Sequence, residues 1–417
     1  MTHWATGETT GVRFPADPDT FRAAGPEFLT EALHAFGTLP PENRVQHITR
    51  LEPVTGGSTG RKARLDVEYV APCELPTQLF VKFSRDFDDP RRDRGKSQME
   101  REVAFGQLSA RTDLPVAVPV CLFADFESTT DTGILLTGRI AYGMGQVEPH
   151  YDKCLDYRIP EVLAHYRALL GTLAKVAGTF HRAALCTRLA DEFSFDTAKV
   201  TVGKRVHYTA AEQRERVQRL TAFASAHHGL LPAVPADDLL NEVTGIAARE
   251  DAVMAWLHGT DSHLALCHWN ANIDNAWFWR DSDGGLQCGL MDWGCASVMN
   301  VAVALWGCLC GAETWLWDQH LDELLDHFAT EFTRVGGPVL DVSLVREQLV
   351  SYAVTMGVTW LLDVPAYVQA AIPDLVDVQD RHDPRIAGNE PVRAQLQMLS
   401  NVLAIWTNQD ISALGQH

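Results

Sequence analysis

Between Leu264 and Gly294 the chain reads LALCHWNANIDNAWFWRDSDGGLQCGLMDWG, and this stretch holds side chains suited to a divalent cation and to phosphate. His268 is followed seven residues later by Asn275. Ala276 to Arg280 is short, aromatic and apolar, so it reads as a strand, and Asp283-Gly284-Gly285 reads as a turn. Leu286 to Met291 is then the return strand, with Asp292 at its end. Two oxygen donors, Asn275 and Asp292, would face each other across a hairpin. Mg²⁺ takes hard oxygen ligands of this kind, supplemented by phosphate and water. Two residues after His268 stands Asn270, an amide that cannot accept a proton from an alcohol. General-base assistance is worth roughly 10²–10⁴ in rate, so this loop starts with a handicap in activating a hydroxyl.

The elements that must position these groups lie upstream. Ile48 to Val54 reads as a strand, Gly56-Gly57-Ser58-Thr59-Gly60 interrupts it, and Lys62 to Val70 resumes with alternate apolar positions. Backbone N–H groups of Gly57, Ser58 and Thr59 could approach a phosphate without obstruction by a Cβ, although the same residues also make an ordinary turn. The P-loop pattern is not met, since Gly60-Arg61-Lys62 lacks the Gly-Lys-Ser/Thr ending and a following helix. Gln78 to Phe83 (QLFVKF) is a strand with one charge, Lys82. A lysine there needs a partner or a phosphate, unless it merely snorkels from an edge. The helix Ser97 to Ala110 offers Glu100 and Glu102; Glu102 lies on the side that carries Phe105 and Leu108 and is preferred.

Arg85 to Lys96 is a charged run that reads as a solvated loop. Val116 to Phe126 and Gly133 to Ile140 read as the last strands of a small sheet, and Thr137 to Ala141 as a linker whose backbone could meet an adenine edge. Gly143 to Tyr157 reads as an ordered loop in which His150, Tyr151 and Asp152 could touch a substrate. Before the first strand, the region 1–45 offers one helix, Pro26 to Phe36. Helices are expected over Val162 to Leu185, with His181 as a core or cap residue, over Thr209 to Ala226, over Asp237 to His258, and almost throughout after Asp292.

Composition narrows the partners. Of 417 residues, 46% are hydrophobic and 21% charged, and the net charge is −19. That surface repels nucleic acid. The N-terminus MTHWATGETT lacks a leader pattern, and Val298 to Cys310, the most apolar run, is shorter than the ~20 residues of a membrane span. The nine cysteines are scattered without a Cys-x-x-Cys pair, which argues against a disulfide scaffold or a zinc site. The expectation is a cytoplasmic protein acting on a small molecule, with no nucleic-acid or membrane partner.

Taken together, the glycine turn, Lys82 in VKF, Glu102 in EREVAF, LTGRI, LCHWNANIDNAWF and LMDWG resemble the aminoglycoside phosphotransferase-like family. The likeness is nearest to its ecdysteroid-kinase-like and choline-kinase-like branch and spans roughly residues 45 to 315. Kinases carry H-x-D-x-x-x-x-N and then D-F-G. The resemblance implies an α+β, two-lobed protein-kinase-like fold. Residues 1–138 would form a nucleotide-binding lobe of a small antiparallel sheet plus helix, and 139–417 a mainly helical lobe that binds the acceptor. It further implies ATP and Mg²⁺ as cofactors, Lys82 on the α- and β-phosphates, Glu102 as its anchor, and Asn275 and Asp292 on the metal. His268 would brace the loop, and Asn270 would take the place of the catalytic Asp.

Departures from the pattern are Asn270 itself, the bulky Trp269 before it, Gly138 after LLT, and Asn300-Val301-Ala302 where Asp-Leu-Ala is usual. Asp274 is poorly spaced to replace the missing base, since it directly precedes Asn275. Three uses stay open: an ATP-dependent transferase whose Asn270 suits an anionic, carboxylate acceptor; a catalytically silent nucleotide binder; and an ATP-independent enzyme on the same fold. The aromatic stretch Trp306 to Trp317 could line an apolar site, though helix packing is the simpler reading.

Overall fold

Short ribbons and one kinked helix open the chain in the computed structural model, which describes residues 3–54, 56–57, 59–181, 193–194, 208–232, 234 and 239–408. Strands β1 (Trp4–Thr6) and β2 (Arg13–Pro15) pair antiparallel. The loop between them is held by buried Asp125, which accepts from the Thr9 N–H at 3.1 Å and from the Thr10 N–H and hydroxyl at 2.9 and 2.5 Å. Helix α1 spans Pro18–Phe36 in two stretches divided at Gly25, whose ψ of −165° is not helical; the second begins at Pro26, where a helix was expected, and the first was not anticipated. Asp17 caps it and Pro18 sits in its first turn, where a missing N–H costs nothing. Gly25 and Pro26 mark a kink within it, Gly25 taking φ 69°.

Alternation of side chains builds the sheet behind this helix. Strands β3 (Val45–Val54), β4 (Arg61–Tyr69), β5 (Gln78–Phe83), β6 (Cys121–Glu127) and β7 (Thr132–Gly138) run antiparallel in the order β3-β4-β5-β7-β6. Ala63, Leu65, Leu79, Val81 and Phe83 point to one face and pack with Phe21, Phe28 and Leu29 of α1. Between β5 and β6 come a short helix α2 (Pro90–Asp93) and the longer α3 (Met99–Arg111). Met99 and Val103 of α3 cover the other face at Cys121, Ala124, Phe126 and Leu135. Lys62 and Lys82 are on that second face, directly opposite each other in the β4–β5 register.

This sheet with its helices, residues Met1–Met144, forms one compact unit together with Gly289–Ala296; Gly145–Cys288 and Ser297–His417 form the other. The class is α+β, as expected. The second unit is mainly helical, with Val162–Thr179, Ala210–Ala226, Leu239–Gly259, Val301–Leu309, Thr314–Arg334, Val342–Trp360 and Glu390–Asn408. The remaining short strands are β8 (Leu264–His268), β9 (Ala276–Arg280) beside β10 (Leu286–Leu290), whose last two residues fall in the first unit, and β11 (Ala296–Asn300), whose first residue does, beside β8. Thr209 caps the second helix in a reciprocal capping box with Glu212. The helix at Val162 ends at Thr179, and the expected continuation over 182–185 lies outside the described residues. One segment among the described residues, Val342–Ala371, is apolar and long enough to cross a membrane, and 83% of its most apolar window is buried inside the protein.

The α1 cap gives a test. Burial raises the Asp17 carboxyl, but hydrogen bonds from the Thr20 N–H and hydroxyl, His3 and the Asp19 N–H outweigh it, and its pKa is lowered. A depressed carboxylate stabilises above its unfolded pKa of about 3.9, and the contribution is lost as pH falls through the folded value. Asp17→Ala is expected to cost about 1 kcal/mol at pH 7 in chemical denaturation, with the gap to wild type closing below roughly pH 4.

Candidate functional site

Lys82 enters the first unit from the middle of β5, where Leu79, Val81 and Phe83 commit the strand's other face to the core. Its ammonium donates to Glu102 Oε1 at 2.5 Å and to Asp292 Oδ1 at 2.9 Å. Of the two glutamates considered, Glu102 is the one that meets the lysine, because it shares a face of α3 with Phe105. The Phe105 ring stacks on Trp293, centroids 3.6 Å apart and 8° from parallel, so the residue after Asp292 is docked on the helix that carries Glu102. The Trp293 indole N–H donates to Leu290 O at 3.1 Å. Asp292 itself adopts φ 63°, ψ 58°, a left-handed conformation that few side chains tolerate and that Asp adopts more readily than most. Helix, strand and triplet thus place Lys82 between two carboxylates.

The three groups are unequal in exposure: the Lys82 side chain is 16% exposed, Glu102 9% and Asp292 36%. Burial opposes the lysine's charge, yet the Asp292 and Glu102 carboxylates outweigh it and raise its pKa. Burial pushes the Glu102 carboxyl up against the pull of Lys82. Across the ladder, Lys62 is pushed down, first by burial and then by repulsion from Lys82.

Above these side chains lies the glycine turn. Gly56, Gly57 and Gly60 take φ of 105°, 77° and 52°. A Cβ on Gly60 would lie 1.9 Å from Phe83 O, and one on Gly57 would lie 2.6 Å from Lys62 Nζ, so the turn approaches the strands only because these side chains are missing. Thr59 packs its methyl where a Gly95 Cβ would be; Ser58 lies outside the described residues. A cavity of about 30 Å³ beneath the turn is lined by Thr59, Lys62, Lys82, Gln98, Glu102 and Asp292. Backbone free of side chains, two ammonium groups and a partly exposed carboxylate are donors whose chemistry suits phosphate oxygens and a divalent cation.

The run Arg85 to Lys96 is exposed or half-buried except at Asp86, as its charges suggest, but part of it is held against the turn. Arg92 Nε donates to Gly60 O at 3.0 Å, its guanidinium reaches Gly56 O at 3.3 Å, and it pairs with buried Asp86 at 3.1 Å. Arg85 pairs with Asp93 at 2.7 Å. The charges satisfy one another and brace the turn. In the expected linker, the N–H groups of Gly138 and Arg139 donate to Val120 O and Gln78 O at 2.8 and 3.0 Å, within the sheet.

The second unit holds the loop after β8. His268 is fully buried. The Asn275 amide donates to Asn270 O at 2.9 Å, and the Asn272 amide donates to Asn270 Oδ1 at 2.6 Å. Cys310 Sγ approaches Asn272 Oδ1 at 3.8 Å, consistent with that orientation of Asn272. Helix Val301–Leu309 lies hard against the loop: a Cβ on Gly307 would sit 1.6 Å from Trp269 O. Its cap, Asn300, accepts from the Ala302 N–H at 2.9 Å and donates to Leu257 O and Gln348 Oε1, both at 3.0 Å. Asp274 pairs with Lys153 at 3.4 Å, and its carboxyl is raised by burial against that attraction. Its backbone oxygen lies 3.0 Å from His150 Nε2. Tyr151 donates to Glu148 at 2.7 Å, and Asp152 lies 3.9 Å from the His150 ring. Trp306 and Trp317 are buried with ring centroids 5.8 Å apart, as helix packing requires.

The structure therefore brings together Lys82, Glu102 and Asp292 with Gly57 and Thr59, and separately His268, Asn270 and Asn275. Sequence reasoning missed Arg92, hidden in a run of like-looking charges, and Lys153, whose partner is 121 positions away. It passed over Lys62, although alternation along β4 puts it on the face of Lys82.

No protein-family model and no curated protein matches the chain. It is similar to a microcompartment-associated aminopropanol kinase, with 12% identity, TM-score 0.44, and 93% of this chain and 99% of that one covered. It is similar also to an ethanolamine kinase of Plasmodium vivax, with 10% identity, TM-score 0.41, and 84% and 81% covered. A third is a spectinomycin phosphotransferase in complex with ADP and spectinomycin, with 11% identity, TM-score 0.40, and 86% and 92% covered. All three carry the names of small-molecule phosphotransferases, the group that the sequence resembles.

Proposed function

We propose that the protein is an ATP- and Mg²⁺-dependent phosphotransferase whose acceptor is a small molecule with a carboxylate. The observation that carries the nucleotide half is the pairing of Lys82 with Glu102 and Asp292 beneath a glycine turn braced by Arg92. A lysine so held is a fixed cation for phosphate oxygens, and phosphoryl transfer depends mainly on such positioning and charge. When bound, the divalent cation would neutralise and align phosphate oxygens. Asp292 and Asn275 are the residues proposed to hold it.

The acceptor half rests on Asn270. Asn272 donates to its Oδ1, and its NH₂ is the end proposed to meet a substrate. An amide donor suits an anion and cannot serve as a base. A carboxylate needs no base: one of its oxygens forms the new O–P bond while the bond from the γ-phosphorus to the β-bridging oxygen breaks. ADP leaves with that electron pair, and no proton has to depart from the acceptor. The product is an acyl phosphate, or whatever is made from it. Asp274, facing Lys153, is not counted as a substitute base.

Calorimetry tests the nucleotide half. Wild type is expected to bind ATP more tightly with Mg²⁺, and Asp292→Ala to lose that Mg²⁺ dependence, weakening MgATP by at least about tenfold. ATP binding without ADP release on any acceptor would favour the silent reading, and no ATP binding would overturn the nucleotide assignment.

For the acceptor, ADP release should be seen with carboxylates and be weak with alcohols. Asn270→Asp should lower the carboxylate rate by about tenfold or more through like-charge repulsion. A variant that instead gained strong alcohol turnover while wild type ignored carboxylates would sink the anionic-acceptor idea.

A further inference from the structure

Among the described residues, Lys62 is a charge without a direct partner. It stands on β4 directly opposite Lys82 on β5, and like charges at facing positions of an antiparallel pair destabilise it. Both nearby carboxylates, Glu102 and Asp292, are engaged by Lys82. Among the described residues the Lys62 ammonium has neither a hydrogen bond nor an ion pair, and the attraction of Asp292 and Glu102 reaches it without contact. Its Nζ instead lies under the turn, where a Gly57 Cβ would be only 2.6 Å away, and it lines the same cavity as Thr59, Lys82 and Asp292. A half-buried ammonium held beside another ammonium, beneath backbone that approaches without side chains, is an arrangement that costs stability until an anion arrives.

We infer that Lys62 is a second phosphate-binding residue, which with Lys82 forms a two-lysine clamp on the nucleotide's polyphosphate. This rests on the nucleotide reading above. It adds to that reading that the site's affinity is divided between two strands and that part of the fold's stability is given up for it. Burial and repulsion from Lys82 lower the Lys62 pKa in the free protein, so its charged form opposes folding at neutral pH. A phosphate oxygen between the two ammonium groups would reverse that balance. Arg92, the other cation nearby, is committed to Gly60 O and Asp86 and does not compete for the role.

The experiment uses the full chain with ATP, ADP and adenosine as probes, by calorimetry in excess Mg²⁺ and again in EDTA, together with thermal melting of the free protein. Lys62→Met is expected to weaken ATP and ADP by about tenfold or more, to leave adenosine unchanged, and to melt no lower than wild type. Lys62→Arg, which keeps the charge, is expected to retain most of the ATP affinity. A lower melting temperature in Lys62→Met with unchanged ATP affinity would show a structural lysine and overturn the inference. So would an equal loss for ATP and adenosine. If wild type binds none of the three probes, the nucleotide reading fails and this inference with it; if wild type binds ATP and Lys62→Met binds it equally well, this inference alone fails.

Discussion

The first unit depends on how one buried ammonium is compensated. Lys82 sits in a strand whose other face is wholly apolar, and taking an unpaired charge out of water costs several kcal/mol, of order enough to matter against total stability. Glu102 and Asp292 answer that cost from opposite ends of the unit's sequence, and their placement follows from one helix: α3 presents Glu102 to the lysine and Phe105 to Trp293. The stacked rings and the ion pairs are three residues apart on the same face, so neither can shift without the other. Replacement by apolar side chains of similar volume would often hold a fold equally well. Two carboxylates and two lysines around a small cavity are the groups on which the proposed phosphate binding draws.

What could be read in advance was whatever breaks a local pattern. A single lysine in QLFVKF, a glutamate on the apolar side of a helix and a glycine cluster between two strands each violate the regularity around them, and each lies at the site. What could not be read were groups whose meaning comes from distant contacts. Arg92 stands among so many charges that no period singles it out, and only the fold shows its guanidinium on the Gly60 carbonyl. Lys153 and Asp274 meet because a loop and a turn far apart in sequence close on one another. The Gly25-Pro26 break was legible, since Gly25 leaves helical backbone and a helical stretch begins at Pro26; the stretch before it, capped by Asp17 and packing Phe21 beside Phe28, was not. The three-residue strands β1 and β2 are too short to show alternation; the buried Asp125 that gathers their loop is what makes them form.

The loop around Asn270 carries a different constraint, geometric rather than electrostatic. Amides hold its shape: Asn275 on the Asn270 carbonyl, Asn272 on the Asn270 side chain. Gly307 lets a helix press on the Trp269 carbonyl, which leaves the loop little freedom to rearrange around a new side chain. An Asp at 270 would face the Asn272 NH₂ as readily as Asn does, since either presents an oxygen. The difference lies at the other end of the group, where Asn offers N–H and Asp a second oxygen and a negative charge. On the proposed reading, that exchange changes which acceptor the loop tolerates. An alcohol loses its proton acceptor, whereas an anion gains a hydrogen-bond donor and is spared a repulsive charge. On the proposed reading, such a loop suits a transfer that needs no proton removed, which is the reason for proposing a carboxylate before a hydroxyl among acceptors.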